Sequence, residues 1–237
     1  MQANVTIDRR TALREIKQKL DLASVGYGAA GVTALGGLAI SNPVLAIAGL
    51  AGAAAALENI QKLSQIVRAL TAILDAFEDT QEIEYLTSLE VPDNGALDLL
   101  VKFLTARVNF AIALRSQGQA KITYREEKES LYRRNKSGGL KPWTPDHIHR
   151  LNEQEFFLRK YQKHLLGSSS RQRYRPIVKL LVLTGETRLG QHPEHLYVTI
   201  GQEKVLLLKK RISVYVVEEK QLVPFIEGFL AQKSKQA

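Results

Sequence analysis

The sequence predicts an α+β fold in which an N-terminal helical region, with an Ala/Gly-rich apolar hairpin and long amphipathic helices, precedes a small C-terminal α+β domain of about four strands. Three observations lead to this prediction. Apolar residues recur every three or four positions through the first half of the chain, and they alternate or form short runs in the last third. Charge is also divided unequally between the two halves. We accordingly place the helical region at 1–118, a basic linker at 119–143 and a basic α+β domain at 144–237.

The hairpin occupies a stretch, residues 22–57, that has no charged side chain and is interrupted only by Ser41, Asn42 and Pro43. Asn42 as an N-cap and Pro43 at the first helical position favour the restart of a helix. We therefore expect two apolar helices joined by a tight turn, with small residues allowing close contact between them. The hairpin residues that we single out are Leu22, Gly28, Gly31, Gly36, Gly37, Asn42, Pro43, Gly49, Gly52 and Leu57.

Length and flanking charge relate this hairpin to a membrane. Its first arm, 22–40, approaches the roughly 20 residues that span a bilayer, whereas its second arm, 43–57, is shorter. Lys and Arg flank the hairpin on both sides and are absent from its turn, so the positive-inside rule predicts that both termini are cytoplasmic. We therefore expect a membrane-associated protein that is anchored by the hairpin and located at the membrane.

Two other readings of the hairpin remain open. An Ala/Gly-rich hairpin can also be buried inside a helical bundle, which would make the protein cytoplasmic. Its composition is similar to that of the apolar hairpins that some pore-forming proteins release into a bilayer, which would make the protein a membrane-permeabilising effector.

The next segment is predicted to continue the second apolar helix as a long amphipathic one. Its apolar positions have the heptad spacing of a coiled coil, which also suggests a homo-oligomer formed through a stripe at 60–77. The stripe consists of Ile60, Leu63, Val67, Leu70, Leu74 and Phe77. After a turn at 91–95, a further helix is expected from Leu97 to Ile112.

The last third changes in character. Asp146 is a suitable N-cap for a helix that would run to Leu166. Several segments beyond residue 176 read as strands. One of them, IVKLLVL at 177–183, is apolar throughout and is therefore predicted to be central and covered on both faces.

The net charge of +9 hides an asymmetry. Residues 1–118 contain 10 Lys and Arg against 12 Asp and Glu, a net charge of −2, and residues 119–237 contain 23 against 12, a net charge of +11. A basic second half is typical of a domain that contacts a partner protein, an anionic lipid or a nucleic acid.

The predicted contact residues come from two basic segments, 133–143 and 168–176. Arg and Lys would bind phosphates, and the aromatic residues would stack on bases. The residues are Arg133, Arg134, Lys136, Lys141, Trp143, Arg171, Arg173, Tyr174 and Arg175.

Catalytic signatures are scarce, so the sequence favours a non-enzymatic protein with no cofactor and no metal. It contains no Gly-x-Ser-x-Gly motif and no phosphate-binding loop. An alternative is a soluble DNA-binding protein or a restriction-type, Mg²⁺-dependent nuclease. Its catalytic residues would be Glu194, Glu218 and Lys220.

Overall fold

A computed structural model describes Gln18 and residues 43–77, 79–134, 138–167, 169–209 and 213–235. The chain divides into two compact units, residues 1–71 and 72–237.

The helices of the described residues lie before, between and after two groups of strands, β1–β6 and β7–β11. They are α1 (Pro43–Phe77), α2 (His147–Tyr161), α3 (Lys163–Leu166), α4 (Ser170–Arg173) and α5 (Leu222–Ser234). The strands are β1 (Ile83–Leu89), β2 (Leu97–Phe103), β3 (Val108–Arg115), β4 (Lys121–Arg125), β5 (Ser130–Arg134), β6 (Leu140–Pro142), β7 (Ile177–Leu183), β8 (Arg188–Leu189), β9 (Tyr197–Ile200), β10 (Glu203–Leu208) and β11 (Val214–Glu218).

A seven-stranded mixed sheet forms the core of the second unit, in the order β1-β2-β3-β7-β11-β10-β9. Its middle strand, β7, runs parallel to both β3 and β11. The other neighbouring strands are antiparallel. All seven residues of β7 are buried, as its unbroken apolar sequence predicts.

Helices α2 and α5 cover opposite faces of this sheet. On one face, Lys179 of β7 forms an ion pair with Glu155 of α2 at 2.5 Å. On the other face, Phe110 of β3 packs edge-on against Phe229 of α5, with ring centres 5.6 Å apart. Because side chains alternate along a strand, the register that pairs Phe110 with Val178 puts Lys179 on the opposite side.

A separate four-stranded sheet, in the order β6-β5-β4-β8, consists mainly of residues 121–142. These residues lie in the segment 119–143, which is predicted as a basic linker. They form β4, β5 and β6, and the short strand β8 adds to β4 in a parallel pairing. This sheet positions the candidate site described below.

The predicted arrangement of a helical region followed by a small domain of about four strands is wrong. The described part of the chain is a mixed α+β fold with one sheet of seven strands and one of four. Helix α1 ends at Phe77, and the expected helix from Leu97 to Ile112 is the antiparallel pair β2 and β3. In these two strands nearly every residue is buried, so apolar side chains on both faces imitate the three-to-four-residue spacing of a helix.

The prediction of a hairpin-anchored membrane protein is also corrected, together with its membrane location, its transmembrane helix and its helical hairpin. None of the helices in the described residues is both long enough and apolar enough to cross a bilayer. The second arm of the hairpin, including Gly49 and Gly52, is the start of α1, and Leu57 is exposed. The rest of the helix carries Glu58, Lys62 and further charges. The first arm lies outside the described residues.

The coiled coil predicted from the stripe at 60–77 is not present. Leu70, Leu74 and Phe77 are buried within the single chain. Phe77 packs edge-on against Phe103 of β2, with ring centres 5.2 Å apart. A homo-oligomer through the stripe at 60–77 stays a prediction.

Candidate polyanion-binding site

The small sheet brings basic side chains from three strands into one row. In the register of β4 and β5, Lys121 lies opposite Arg134, and in the register of β4 and β8 it lies opposite Arg188. Residues opposite each other share a face of the sheet, as do residues two and four positions along a strand. Arg125 therefore belongs to the same face. We call these four residues, Lys121, Arg125, Arg134 and Arg188, the basic face; all four are exposed.

The opposite face of the small sheet explains why the basic residues point outward. Ile122, Tyr124 and Leu131 alternate with them along the strands and are buried. They belong to the same hydrophobic cluster as residues of β7 and β11. Because register fixes which side chains face inward, burial of these three residues forces the basic set towards solvent.

Positive charge on the basic face is only partly balanced. Among the described residues, no carboxylate lies within 4 Å of Lys121 or Arg134. Arg125 has Glu127 at 3.8 Å, and Arg188 has Glu218 at 4.0 Å. Like charges directly opposite each other destabilise a sheet, so the pairing of Lys121 with Arg134 works against folding.

A cavity of about 620 Å³ opens beside this row. Its volume lies in the range of small-molecule pockets, about 300–1,000 Å³. Two of the basic residues contribute to its wall together with one aromatic and several polar residues. The lining residues are Lys121, Thr123, Arg134, Leu189, Gly190, Gln191, His192 and Tyr197.

Gly190 allows the floor of the cavity to approach β4 closely. Its N–H donates to the carbonyl oxygen of Ile122 at 2.7 Å. A Cβ at this position would lie 2.6 Å from the hydroxyl oxygen of Thr123 and 3.2 Å from that carbonyl oxygen. A larger residue at this position would therefore require the Thr123 side chain to move and the backbone of β4 to shift by a few tenths of an ångström.

His192 is held by hydrogen bonds on both ring nitrogens. Nε2 accepts from the backbone N–H of Tyr124 at 2.8 Å, and Nδ1 lies 2.9 Å from the carbonyl oxygen of Gly190. Nδ1 therefore carries the proton. Burial lowers the pKa of His192 below 6.5, and the hydrogen bond to Gly190 only partly opposes this. The imidazole is thus neutral. It forms part of the cavity wall and joins the segment between β8 and β9 to β4.

Tyr197 adds an aromatic edge to the same wall. Its ring packs edge-on against His192, with ring centres 6.2 Å apart, and Lys204 Nζ lies 4.9 Å from its ring centre. Burial raises the pKa of the Tyr197 phenol. The phenol therefore keeps its proton and can donate a hydrogen bond to an anionic ligand.

The predicted contact residues of 133–143 are divided by the sheet. Arg134 lies on the basic face. Arg133 lies on the other face, where it donates to Gln117 Oε1 at 2.5 Å, with Lys141 opposite it. Trp143 is 3% exposed and packs edge-on against His147 at 4.5 Å, so its ring does not face solvent. Lys136 lies outside the described residues.

The predicted contact residues of 168–176 lie on α4 and the residues that follow it. Arg171 and Tyr174 are exposed, and Arg173 and Arg175 are half-buried. Nε of Arg173 donates to the carbonyl oxygen of Gly167 at 3.3 Å. Arg173 and Tyr174 line a separate cleft, described below.

The residues of the nuclease alternative are engaged with different cations. Glu218 ends β11 and has Lys220 at 3.6 Å, while its other oxygen accepts from the N–H of Leu189 at 3.1 Å. Glu194 pairs with Lys204 at 2.6 Å. Within the described ranges, no group of three or more acidic or histidine side chains could hold a metal ion.

A further polar cluster joins the start of β2 to the end of β3. Asp98 is buried and accepts from the N–H of Leu114 at 2.6 Å and from Arg115 at 2.5 Å. Nε of Arg115 donates to Nδ1 of His147 at 3.2 Å. Because the buried carboxylate has both a cation and a backbone donor, it needs no ligand to balance its charge. The cluster fastens α2 to the sheet.

Sequence reasoning missed most of the basic face and its cavity. The available signal was the alternation in KITYR at 121–125, where Lys, Thr and Arg occupy one face of the strand and Ile and Tyr the other. Arg188 and Gly190 carry no such signal, because β8 has only two residues. Comparison with protein-family models, curated proteins and solved structures found no match for this chain.

Proposed function

We propose that this protein binds a nucleic acid through the basic face. The observation that carries the proposal is the row formed by Lys121, Arg134 and Arg188, in which cations of three strands lie opposite each other. A sheet that keeps like charges together gives up folding stability. A row of phosphates would turn that repulsion into attraction, since each cation would then face an anion.

Charge distribution supports a polyanion rather than a single small anion. Residues 119–237 carry a net charge of +11, so the positive electrostatic potential extends beyond the four residues of the basic face. The side chains of Lys121 and Arg125 are four residues apart, which is about 13 Å along a strand. Cations over this distance match several successive phosphates of one backbone.

Binding is tested by fluorescence anisotropy with labelled DNA and RNA at several salt concentrations. We expect binding at low salt that weakens steeply as salt increases. The variant that combines Lys121→Gln and Arg134→Gln should reduce the slope of log K against log salt by about 0.7–0.9 for each phosphate that the protein no longer neutralises. Lys235→Gln removes an exposed cation that directly follows α5 and serves as the matched control.

Two outcomes would overturn the proposal. Either the wild-type protein fails to bind any nucleic acid at low salt, or the double variant binds with the affinity and salt slope of the wild type. In the first case, binding to vesicles of anionic lipid would identify lipid head groups as the partner. Circular dichroism confirms that each variant is folded.

A further inference from the structure

Exposed aromatic rings are concentrated on α2 and just after α4. Phe156 is 54% exposed, Tyr161 60% and Tyr174 83%. Leu57 is the other large apolar side chain that is exposed among the described residues. Phe156 and Tyr161 both lie close to Lys160, and a group of exposed aromatic residues, unlike an isolated one, indicates a candidate binding surface.

A small cleft of about 120 Å³ lies beside Tyr174. Its other lining residues are Arg159, Lys163, Ser170 and Arg173. We call this the α2–α4 cleft. Lys163, Arg173 and the hydroxyl group of Ser170 provide donors for a phosphate group, while Arg159 forms part of the wall.

The wall of the cleft is fixed by an ion-pair network that begins in the core. Lys179 of the central strand contacts Oε2 of Glu155 at 2.5 Å, and Nε of Arg159 contacts Oε1 at 2.8 Å. Burial opposes ionisation of Glu155, but the hydrogen bonds from Lys179 and Arg159 outweigh it and keep its pKa below 4.5. The carboxylate therefore stays charged and holds Arg159 in one orientation.

Arg159 in turn fixes the chain that carries Tyr174. Its two terminal nitrogens donate to the carbonyl oxygens of Arg173 at 3.2 Å and Arg175 at 3.4 Å. A capping box between Ser169 and Gln172 defines the start of α4. The backbone on both sides of Tyr174 is thus anchored before any ligand binds, which lowers the entropy lost on binding.

Positive charge at this surface is also incompletely balanced. No carboxylate in the described part of the chain lies within 4 Å of Lys163 or Arg171. Lys160 Nζ lies 5.2 Å from the ring centre of Phe156 and 5.0 Å from that of Tyr161. The ammonium group of Lys160 therefore lies close to two exposed aromatic rings of α2, and aromatic rings beside cations are typical of proteins that bind single strands.

We propose that the α2–α4 cleft binds single-stranded nucleic acid, with a phosphate in the cleft and the adjacent base stacked on Tyr174. The inference rests on the proposed function and specifies the kind of strand. An unpaired base offers its flat face to an aromatic side chain, whereas a duplex hides that face inside its stack. The prominent exposure of Tyr174 beside a phosphate-sized cationic cleft is what favours the single strand.

The test compares labelled single-stranded and duplex DNA of the same sequence. Tyr174→Ala should weaken binding of the single strand about 5- to 150-fold, the range that follows from losing one stacked base. It should leave duplex binding unchanged. Tyr174→Phe keeps the ring and should bind the single strand like the wild type. Lys163→Gln should reduce the salt slope for the single strand by about 0.7, and Lys235→Gln is again the control.

The outcomes separate this inference from the proposed function. If the double variant of Lys121 and Arg134 loses binding but Tyr174→Ala binds the single strand like the wild type, the proposed function stands and this inference fails. Equal losses for Tyr174→Ala and Tyr174→Phe would indicate a contact of the hydroxyl group and also overturn stacking. If the wild type binds neither strand form, both proposals fail. Tyr174 is exposed, so its variants are expected to fold.

Discussion

Lys121 and Arg134 lie directly opposite each other on neighbouring antiparallel strands, and both side chains are exposed on the same face of the small sheet. Opposite positions on such strands have Cβ atoms about 4.5–5.5 Å apart. Repulsion between the two cations is therefore built into the register of β4 and β5, and it links the stability of the sheet to the ligand that we propose.

Replacing one cation of this pair should affect stability and binding in opposite directions. Lys121→Glu would place a carboxylate between Arg134 and Arg188, so we expect the free energy of unfolding to rise by about 0.2–1 kcal/mol. Nucleic-acid binding should weaken, since an attraction becomes a repulsion. Urea unfolding and anisotropy measure the two effects. Lys235→Glu changes the net charge equally and should alter neither the stability nor the binding. If Lys121→Glu is less stable than the wild type, the prediction is wrong.

Removal of one partner of the ion pair between Lys179 and Glu155 should strongly destabilise the fold. Glu155→Gln leaves the ammonium group of Lys179, which is 5% exposed, without its carboxylate. Loss of one partner of a buried pair lowers the free energy of unfolding by about 3–5 kcal/mol. Urea unfolding of the variant should show a decrease of this size. Glu153→Gln on the same helix is the control.

A second variant tests the reason for that loss. Replacing both partners, with Glu155→Leu and Lys179→Met, removes the charges together and should recover most of the lost stability. A double variant that is as unstable as Glu155→Gln would show that packing, and not the unpaired charge, causes the loss.

Stability should fall as the pH decreases past the ordinary pKa of histidine, because of His192. Burial keeps its pKa in the folded protein below 6.5, so the unfolded chain takes up a proton first as the pH falls. The stability that depends on a neutral His192 is complete above pH 6.5. It is lost as the pH falls from 6.5 towards the pKa of His192 in the folded protein. Urea unfolding across this range should show a smaller pH dependence for His192→Gln than for the wild type. An equal pH dependence of the wild type and His192→Gln would contradict the prediction.

Close packing of α5 against the turn between β9 and β10 depends on two glycines. A Cβ on Gly228 would lie 2.7 Å from both Cα and N of Gly201. Because these are backbone atoms, Gly228→Ala should destabilise the fold by about 1–3 kcal/mol, as overpacking does. Gly139→Ala, with no atom within 4 Å of the added Cβ, is the control. Thermal unfolding of both variants measures the effect, and equal stability of the two would contradict the prediction.

Local signals predicted some elements well. Asp146 caps α2 as expected, accepting from the N–H groups of Ile148 and His149 at 3.0 and 3.1 Å. The turn at 91–95 is present, with Asp93 and Gly95 at positive φ. It nevertheless joins β1 to β2 rather than two helices. A turn motif shows where the chain reverses but does not show which element lies on either side.

The candidate site was predictable only in part. Arg134 was singled out from its basic segment, but Trp143, from the same segment, is buried. Arg133 and Arg134 are neighbours in sequence and lie on opposite faces of β5. A count of basic residues cannot separate them, because the separation comes from the pleat and from what each face packs against.

The sequence by itself determined the basic character of residues 119–237 and the central position of β7. Both depend on composition within one segment, and no distant contact is needed to read them. Only the tertiary structure decided that Lys121, Arg134 and Arg188 form one row. Strands distant along the chain meet through register, and register is chosen by which apolar side chains the core can bury. The same burial left Tyr174 exposed beside a cationic cleft and placed Trp143 inside.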